Sequence, residues 1–107
     1  MSDELFTRTD DGNQTTVRIR KKLDVTNASL LFDLVKELEE QVKAKKIATV
    51  VVNLEELDLI DSSGVAGIVG LYKRTRSHGG EVKIVGATGQ PLAIFKLLRM
   101  DKVWGLP

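Results

Sequence analysis

Apolar and charged residues alternate from Thr15 to Lys21 (TTVRIRK), with Val17 and Ile19 on one side. A period of two predicts a strand with one face in solvent. Ahead of it, residues 4–8 (ELFTR) are expected to form a short edge strand, and Asp10, Asp11, Gly12 and Asn13 a turn. The period then changes. Leu30, Leu31, Leu34, Val35, Leu38 and Val42 recur at helical spacing, while Lys36, Glu37, Glu39, Glu40 and Lys43 take the opposite face. Thr26 or Asn27 is placed to cap this helix, since a short side-chain oxygen can accept from a free backbone N–H. The run 47-IATVVVNL-54 has no alternation and is rich in β-branched residues. It predicts a central strand covered on both faces.

A second helix is expected from about Ser63 to Ser77, with Val65, Ile68, Val69 and Tyr72 on one face and Gly79 and Gly80 ending it. Then 81-EVKIVG-86 alternates as a strand. The turn 87-ATGQP-91 leads to a third helix with Pro91 near its first position, where a missing N–H does no harm. Leu92, Phe95, Leu97 and Leu98 supply its apolar side, and Val103 and Trp104 are read as the start of a last short strand. The order β-β-α-β-α-β-α-β predicts one domain over residues 1–107. Its expected class is α/β, a sandwich of helices on a mixed, largely parallel sheet of four to five strands. In such sheets, ligands and partners engage the loops beyond the carboxyl ends of the strands.

That rule draws attention to 57-LDLIDSSGVAGIVGLYKR-74, where strand-like sequence meets a helix at Asp61, Ser62 and Ser63. Ser62 reads most simply as the helix N-cap. A cap does not explain Gly64, Gly67 and Gly70 behind it, because glycine inside a helix costs roughly 1 kcal/mol relative to alanine. Spaced by three, they trace a strip without side chains. Either the helix packs very close to its own sheet, or another molecule comes close to it. A helix N-terminus also favours anions, so a phosphate on a serine there would meet backbone N–H groups on one side and Asp58 and Asp61 on the other.

Composition narrows the chemistry. The chain has 107 residues, 42% hydrophobic and 29% charged, which suits a globular domain. Sixteen Lys and Arg against fifteen Asp and Glu give a net charge of +1, so no global field draws nucleic acid or an anionic membrane. The cluster Lys73, Arg74 and Arg76 falls where cations meet the negative end of a helix dipole, and no aromatic platform is interleaved with it. No direct nucleic-acid or membrane partner is therefore expected. The absence of cysteine excludes disulfides and thiolate metal sites. The start MSDELF lacks the basic and apolar regions of a secretory signal, and no apolar run approaches the ~20 residues of a membrane helix, so a cytoplasmic location is expected. The single histidine, His78, lies in the turn 77-SHGGE-81, and no G-x-S-x-G is present. With no metal set, thiol or suitable base, the chain is not expected to be an enzyme and needs no cofactor.

The run 52-VNLEELDLIDSSGVAGIVGLYKRTRSHGGEVKIVG-86, extended by 91-PLAIFKLLRMDKVW-104 and 23-LDVTNASLL-31, resembles a STAS domain of the anti-sigma factor antagonist type. The most specific element is D-S-S-G followed by small and apolar residues, with G-G about fifteen residues on. The resemblance covers nearly the whole chain and implies a STAS-type sandwich. It further implies that Ser62 is phosphorylated by an anti-sigma factor that is itself a serine kinase of the GHKL type, which supplies the ATP. The unphosphorylated form would bind that anti-sigma factor and free the sigma factor, and a PP2C-type phosphatase would reset the switch. By the same resemblance Asp61 and Asp24 are acids of the binding edge, Ser63 serves capping and local geometry, and Gly64 lets the partner approach. Where the family usually has glycine, two residues before the L-D pair, this chain has Lys21. The same domain could serve another partner-switching complex, or bind a partner without phosphorylation. A nucleotide- or lipid-linked module is disfavoured because neither G-x-G-x-x-G nor G-x-x-x-x-G-K-[ST] occurs.

Overall fold

The computed structural model describes residues 5–107. Strands β1 (Phe6–Asp11) and β2 (Gln14–Ile19) form an antiparallel hairpin, with Asp11 opposite Gln14. The turn is Gly12 and Asn13, and Gly12 sits at φ 62°, a left-handed conformation that glycine adopts at no steric cost. The expected edge strand is thus present but displaced: it starts at Phe6 and runs through Asp10 and Asp11, which were expected to turn, while Glu4 lies outside the described residues. The chain continues through β3 (Lys21–Leu23), α1 (Ala28–Lys43), β4 (Thr49–Asn53), β5 (Leu57–Ile60), α2 (Ser62–Ser77), β6 (Glu81–Val85), α3 (Gly89–Leu97) and α4 (Met100–Trp104).

The main sheet has the order β1-β2-β4-β6, with β2, β4 and β6 parallel, while β3 and β5 pair in parallel as a separate two-stranded sheet. The architecture is the expected α/β class with a mixed sheet of four strands. Val17, Ile19, Val50, Val52, Val82 and Ile84 project from one face of the sheet into a single core. Leu31, Val35, Leu38 and Val42 of α1 meet them there, with Val65, Ile68 and Leu71 of α2. The expectation of a doubly covered central strand is not met. Thr49 and Val51 of β4 are only half-buried, and Val51 lies between Thr16 and Lys83 on the open face.

Three further expectations change. Leu30 is exposed, and the inward stripe of α1 is Ala28, Leu31, Val35, Leu38 and Val42. In α2 it is Leu71 that is fully buried, with Val69 and Tyr72 at the margin. The C-terminal segment is a helix, not a strand. Met100 and Trp104, four apart, turn inward together, and the Trp104 ring meets Phe95 at 5.1 Å and Tyr72 at 5.9 Å edge to face. Val103, the other half of the expected strand, faces solvent.

The glycines of α2 have separable causes. A Cβ on Gly67 would stand 2.6 Å from Leu31 Cδ2, so this glycine lets α1 and α2 close on each other. Gly70 faces open space, with no atom of the described residues packed within 4 Å of its missing Cβ. Gly70→Ala should therefore recover helix propensity without a clash and raise stability by about 0.5–1 kcal/mol. Equilibrium urea denaturation checks this, and an unchanged or lower midpoint contradicts it.

Candidate functional site

The chain leaves β5 at Ile60 and enters α2 one residue later, with Asp61 extended between them (φ −114°, ψ −175°). Asp61 Oδ1 accepts from the Gly64 N–H at 3.0 Å, which makes Asp61 the N-cap of α2. Its other oxygen, Oδ2, accepts from the Val25 N–H at 3.0 Å, in the loop between β3 and α1. The Asp61 N–H donates to the Leu23 carbonyl at 3.2 Å. Through these three hydrogen bonds one residue ties the start of α2 both to the end of β3 and to the loop that follows it.

This corrects the reading of the two serines. Ser62 is not the cap; it is the first residue of the helix, exposed, with a hydroxyl that engages no side chain or backbone among the described residues. A carboxylate one residue earlier already takes the N–H that the serine was expected to take. Ser63 is half-buried, and its hydroxyl caps nothing either. Gly64 is buried. A Cβ there would stand 2.5 Å from the Leu23 carbonyl oxygen and 2.7 Å from Ile60 Cγ1. The close approach that Gly64 permits is therefore to its own chain, not to the solvent side.

The β3–α1 loop is organised by its own polar side chains. Asp24 Oδ1 accepts from the Thr26 N–H at 3.0 Å and from the Thr26 hydroxyl. That hydroxyl bond, helped by the Thr26 N–H and by Lys22 Nζ at 3.7 Å, holds the Asp24 carboxyl below its ordinary range against a smaller opposing effect of desolvation. Asn27 does not cap α1 through its side chain. Its Oδ1 accepts from the Asp24 N–H and its Nδ2 donates to the Lys22 carbonyl, both at 2.9 Å. Lys21 begins this edge at φ 63°, in the left-handed region, which explains physically why glycine suits that position.

Gln90, at the start of α3, was not singled out by its sequence. Its side-chain amide accepts from the Ile60 N–H and donates to the Ile60 carbonyl, both at 2.9 Å, and so pairs with the last residue of β5 as another strand would. No periodicity marks such a contact; only its place in the turn before Pro91 is visible in the sequence. The result is an edge with two depressions that meet at Ile60 and Asp61. One, of about 360 Å³, is polar at its rim, with Lys22, Asp24 and Gln90. The other, of about 250 Å³, has Ser62 at its lip and apolar walls of Val65, Ile94, Leu97 and Leu98. His78 lies past the far end of α2, roughly 24 Å away along a 16-residue helix, where its Nε2 meets Glu39 at 3.1 Å. It is no partner for Ser62.

The profile of the STAS domain matches residues 6–106, almost the entire chain. The chain belongs to the STAS domain family. Among solved structures it is similar to the phosphorylated form of the Bacillus cell fate determinant SpoIIAA, at 17% identity and a TM-score of 0.73, covering 92% of this chain and 86% of that one. It is also similar to an anti-sigma factor antagonist from Mycobacterium paratuberculosis (17% identity, TM-score 0.75, 94% and 82% covered). A third similar structure is TM1081 of Thermotoga maritima (21%, 0.76, 92% and 81%). At these identities the likeness establishes a shared STAS fold. Among the described residues no helix is long and apolar enough to cross a membrane.

The position of Gly64 gives a clear expectation. Gly64→Val should push against the Leu23 backbone and lower stability by at least about 1–3 kcal/mol, as overpacking does. Thermal denaturation reads the loss directly. A Gly64→Val protein as stable as the parent would contradict this close packing against Leu23 and Ile60.

Proposed function

We propose that this STAS domain is an anti-sigma factor antagonist, switched by phosphorylation of Ser62. The observation that carries the reading is the exposed, unengaged Ser62 hydroxyl at a helix start held in place by the neighbouring Asp61. A kinase can reach that oxygen without unfolding anything. Asp24 and Asp61 border it on one side and an apolar groove lies on the other, a mixture suited to recognition by a partner surface. The family likeness supports the choice of partner, since proteins named as anti-sigma factor antagonists share the fold, and SpoIIAA is known in both phosphorylated and unphosphorylated forms.

In this reading the unphosphorylated domain binds an anti-sigma factor that is also a serine kinase, and so frees the sigma factor. Asp24, Asp61, Ser62 and Ser63 form the contact edge, while Gly64 contributes from below by letting α2 approach Leu23. The Ser62 oxygen attacks the γ-phosphorus of ATP held by the kinase. The new O–P ester bond forms as the bond to ADP breaks, and the hydroxyl proton passes to a base on the kinase. The phosphate then stands beside Asp61, whose carboxylate already occupies the Gly64 N–H. That N–H is therefore not open to the phosphate, and like charge accumulates at the contact edge. Leaving such a charge unpaired in an interface costs on the order of 2–5 kcal/mol, a loss of about 30-fold to several thousand-fold in affinity. A PP2C-type phosphatase would hydrolyse the ester and restore binding.

The test captures the partner kinase from an extract of the source organism without ATP, then adds ATP and maps phosphate on this chain. Phosphate is expected on Ser62 and should vanish in Ser62→Ala, with the fold retained. Ser62→Asp should weaken the complex at least tenfold. Phosphate on Ser63, or an unchanged affinity of Ser62→Asp, contradicts the proposal.

A further inference from the structure

Among the described residues, three of the eight exposed large apolar residues fall within seven positions of each other, at the corner where α3 meets α4. Leu97 is 79% exposed, Leu98 51% and Val103 56%. Between and beside them stand Lys96, Arg99 and Lys102, all exposed and none paired with a carboxylate among the described residues. Asp101 is the single acid in this stretch, so the corner carries a local excess of positive charge that the whole-chain value of +1 conceals.

The backbone adds a second observation. Arg99 forms the turn itself, at φ 61° and ψ 24°. This is the position after a helix end at which glycine is the unstrained choice. A cation is kept there at the cost of a left-handed backbone, at the tip of the corner.

We propose that the α3–α4 corner is a docking surface for an anionic lipid bilayer, with Leu97, Leu98 and Val103 entering the interface and Lys96, Arg99 and Lys102 held at the headgroups. A bilayer fits these observations better than an acidic protein does. Leu97 is 79% exposed and Val103 56%, and a soft apolar medium accepts such protruding side chains without a matching pocket. Cations interleaved with exposed leucines are also the composition of interfacial elements, whose binding combines apolar burial with attraction to anionic lipid. Because Leu97 and Leu98 also wall the groove beside Ser62, a lipid-bound molecule would have that groove covered.

The test is cosedimentation of the full chain with phosphatidylcholine vesicles, with and without phosphatidylglycerol. No ATP or kinase is present, so the outcome is independent of the Ser62 switch. Binding to the anionic vesicles is expected to exceed binding to the zwitterionic ones at least tenfold and to fall with added salt. Arg99→Gly should weaken it roughly fivefold, about the contribution of one cation, while its melting temperature stays the same or rises. The double change Leu97→Ser and Leu98→Ser should abolish binding, with the circular dichroism spectrum unchanged. No binding, equal binding to both vesicle types, or full binding by the folded leucine variant would overturn the proposal. So would tighter binding to soluble poly-glutamate than to the anionic vesicles at equal charge, which would assign the corner to an acidic protein.

Discussion

The candidate site depends on one carboxylate. Asp61 caps α2 with one oxygen and holds the β3–α1 loop with the other, so the helix start and the loop cannot move apart without losing one of these bonds. An N-cap alone contributes about 1 kcal/mol, and a hydrogen bond to a charged group about 1.5–3 kcal/mol. Because the cap lies one residue before Ser62, the serine hydroxyl is released from structural duty. Had serine been the cap, modifying it would have removed the hydrogen bond that starts the helix. Here the modifiable group and the structural group are neighbours with separate tasks.

The same constraint accounts for two of the glycines. For Asp61 to reach Val25, α2 must begin almost in contact with β3, and the Leu23 carbonyl leaves no room for a side chain at Gly64. One turn later Gly67 accepts Leu31 of α1. The two choices raised by the glycine strip resolve towards packing within the chain at these positions. Gly70 meets nothing and stands outside that explanation. Gln90 completes the arrangement by pairing with the last residue of β5, which fixes the position of α3 and, through it, the apolar wall beside Ser62.

The sequence disclosed most of the architecture because its long elements bury one regular face. Leu31, Val35, Leu38 and Val42 of the inward stripe of α1 and the alternation of β2 and β6 could be read directly, and Asp61-Ser62-Ser63-Gly64 stood out as a junction. Short elements were less legible. β3 has three residues and too little periodicity to register, and α4 looked like a strand because Val103 and Trp104 are adjacent apolar residues of high β propensity. The cap was misplaced by one residue because serine and aspartate cap almost equally well, and only the geometry shows which oxygen reaches Gly64. The roles of Asn27 and Gln90 were hidden for a different reason. Both bind backbone that is distant in sequence or outside any regular pattern, which leaves no local signature.

Asp61 couples the start of α2 to the β3–α1 loop. Amide hydrogen exchange in Asp61→Ala tests it most directly. The Gly64 and Val25 amides are expected to lose protection together, while the amides of β4 in the core keep theirs. Protection that persists at Val25, with loss confined to Gly64, would show that the loop is held without Asp61 and that the two elements are not coupled through it.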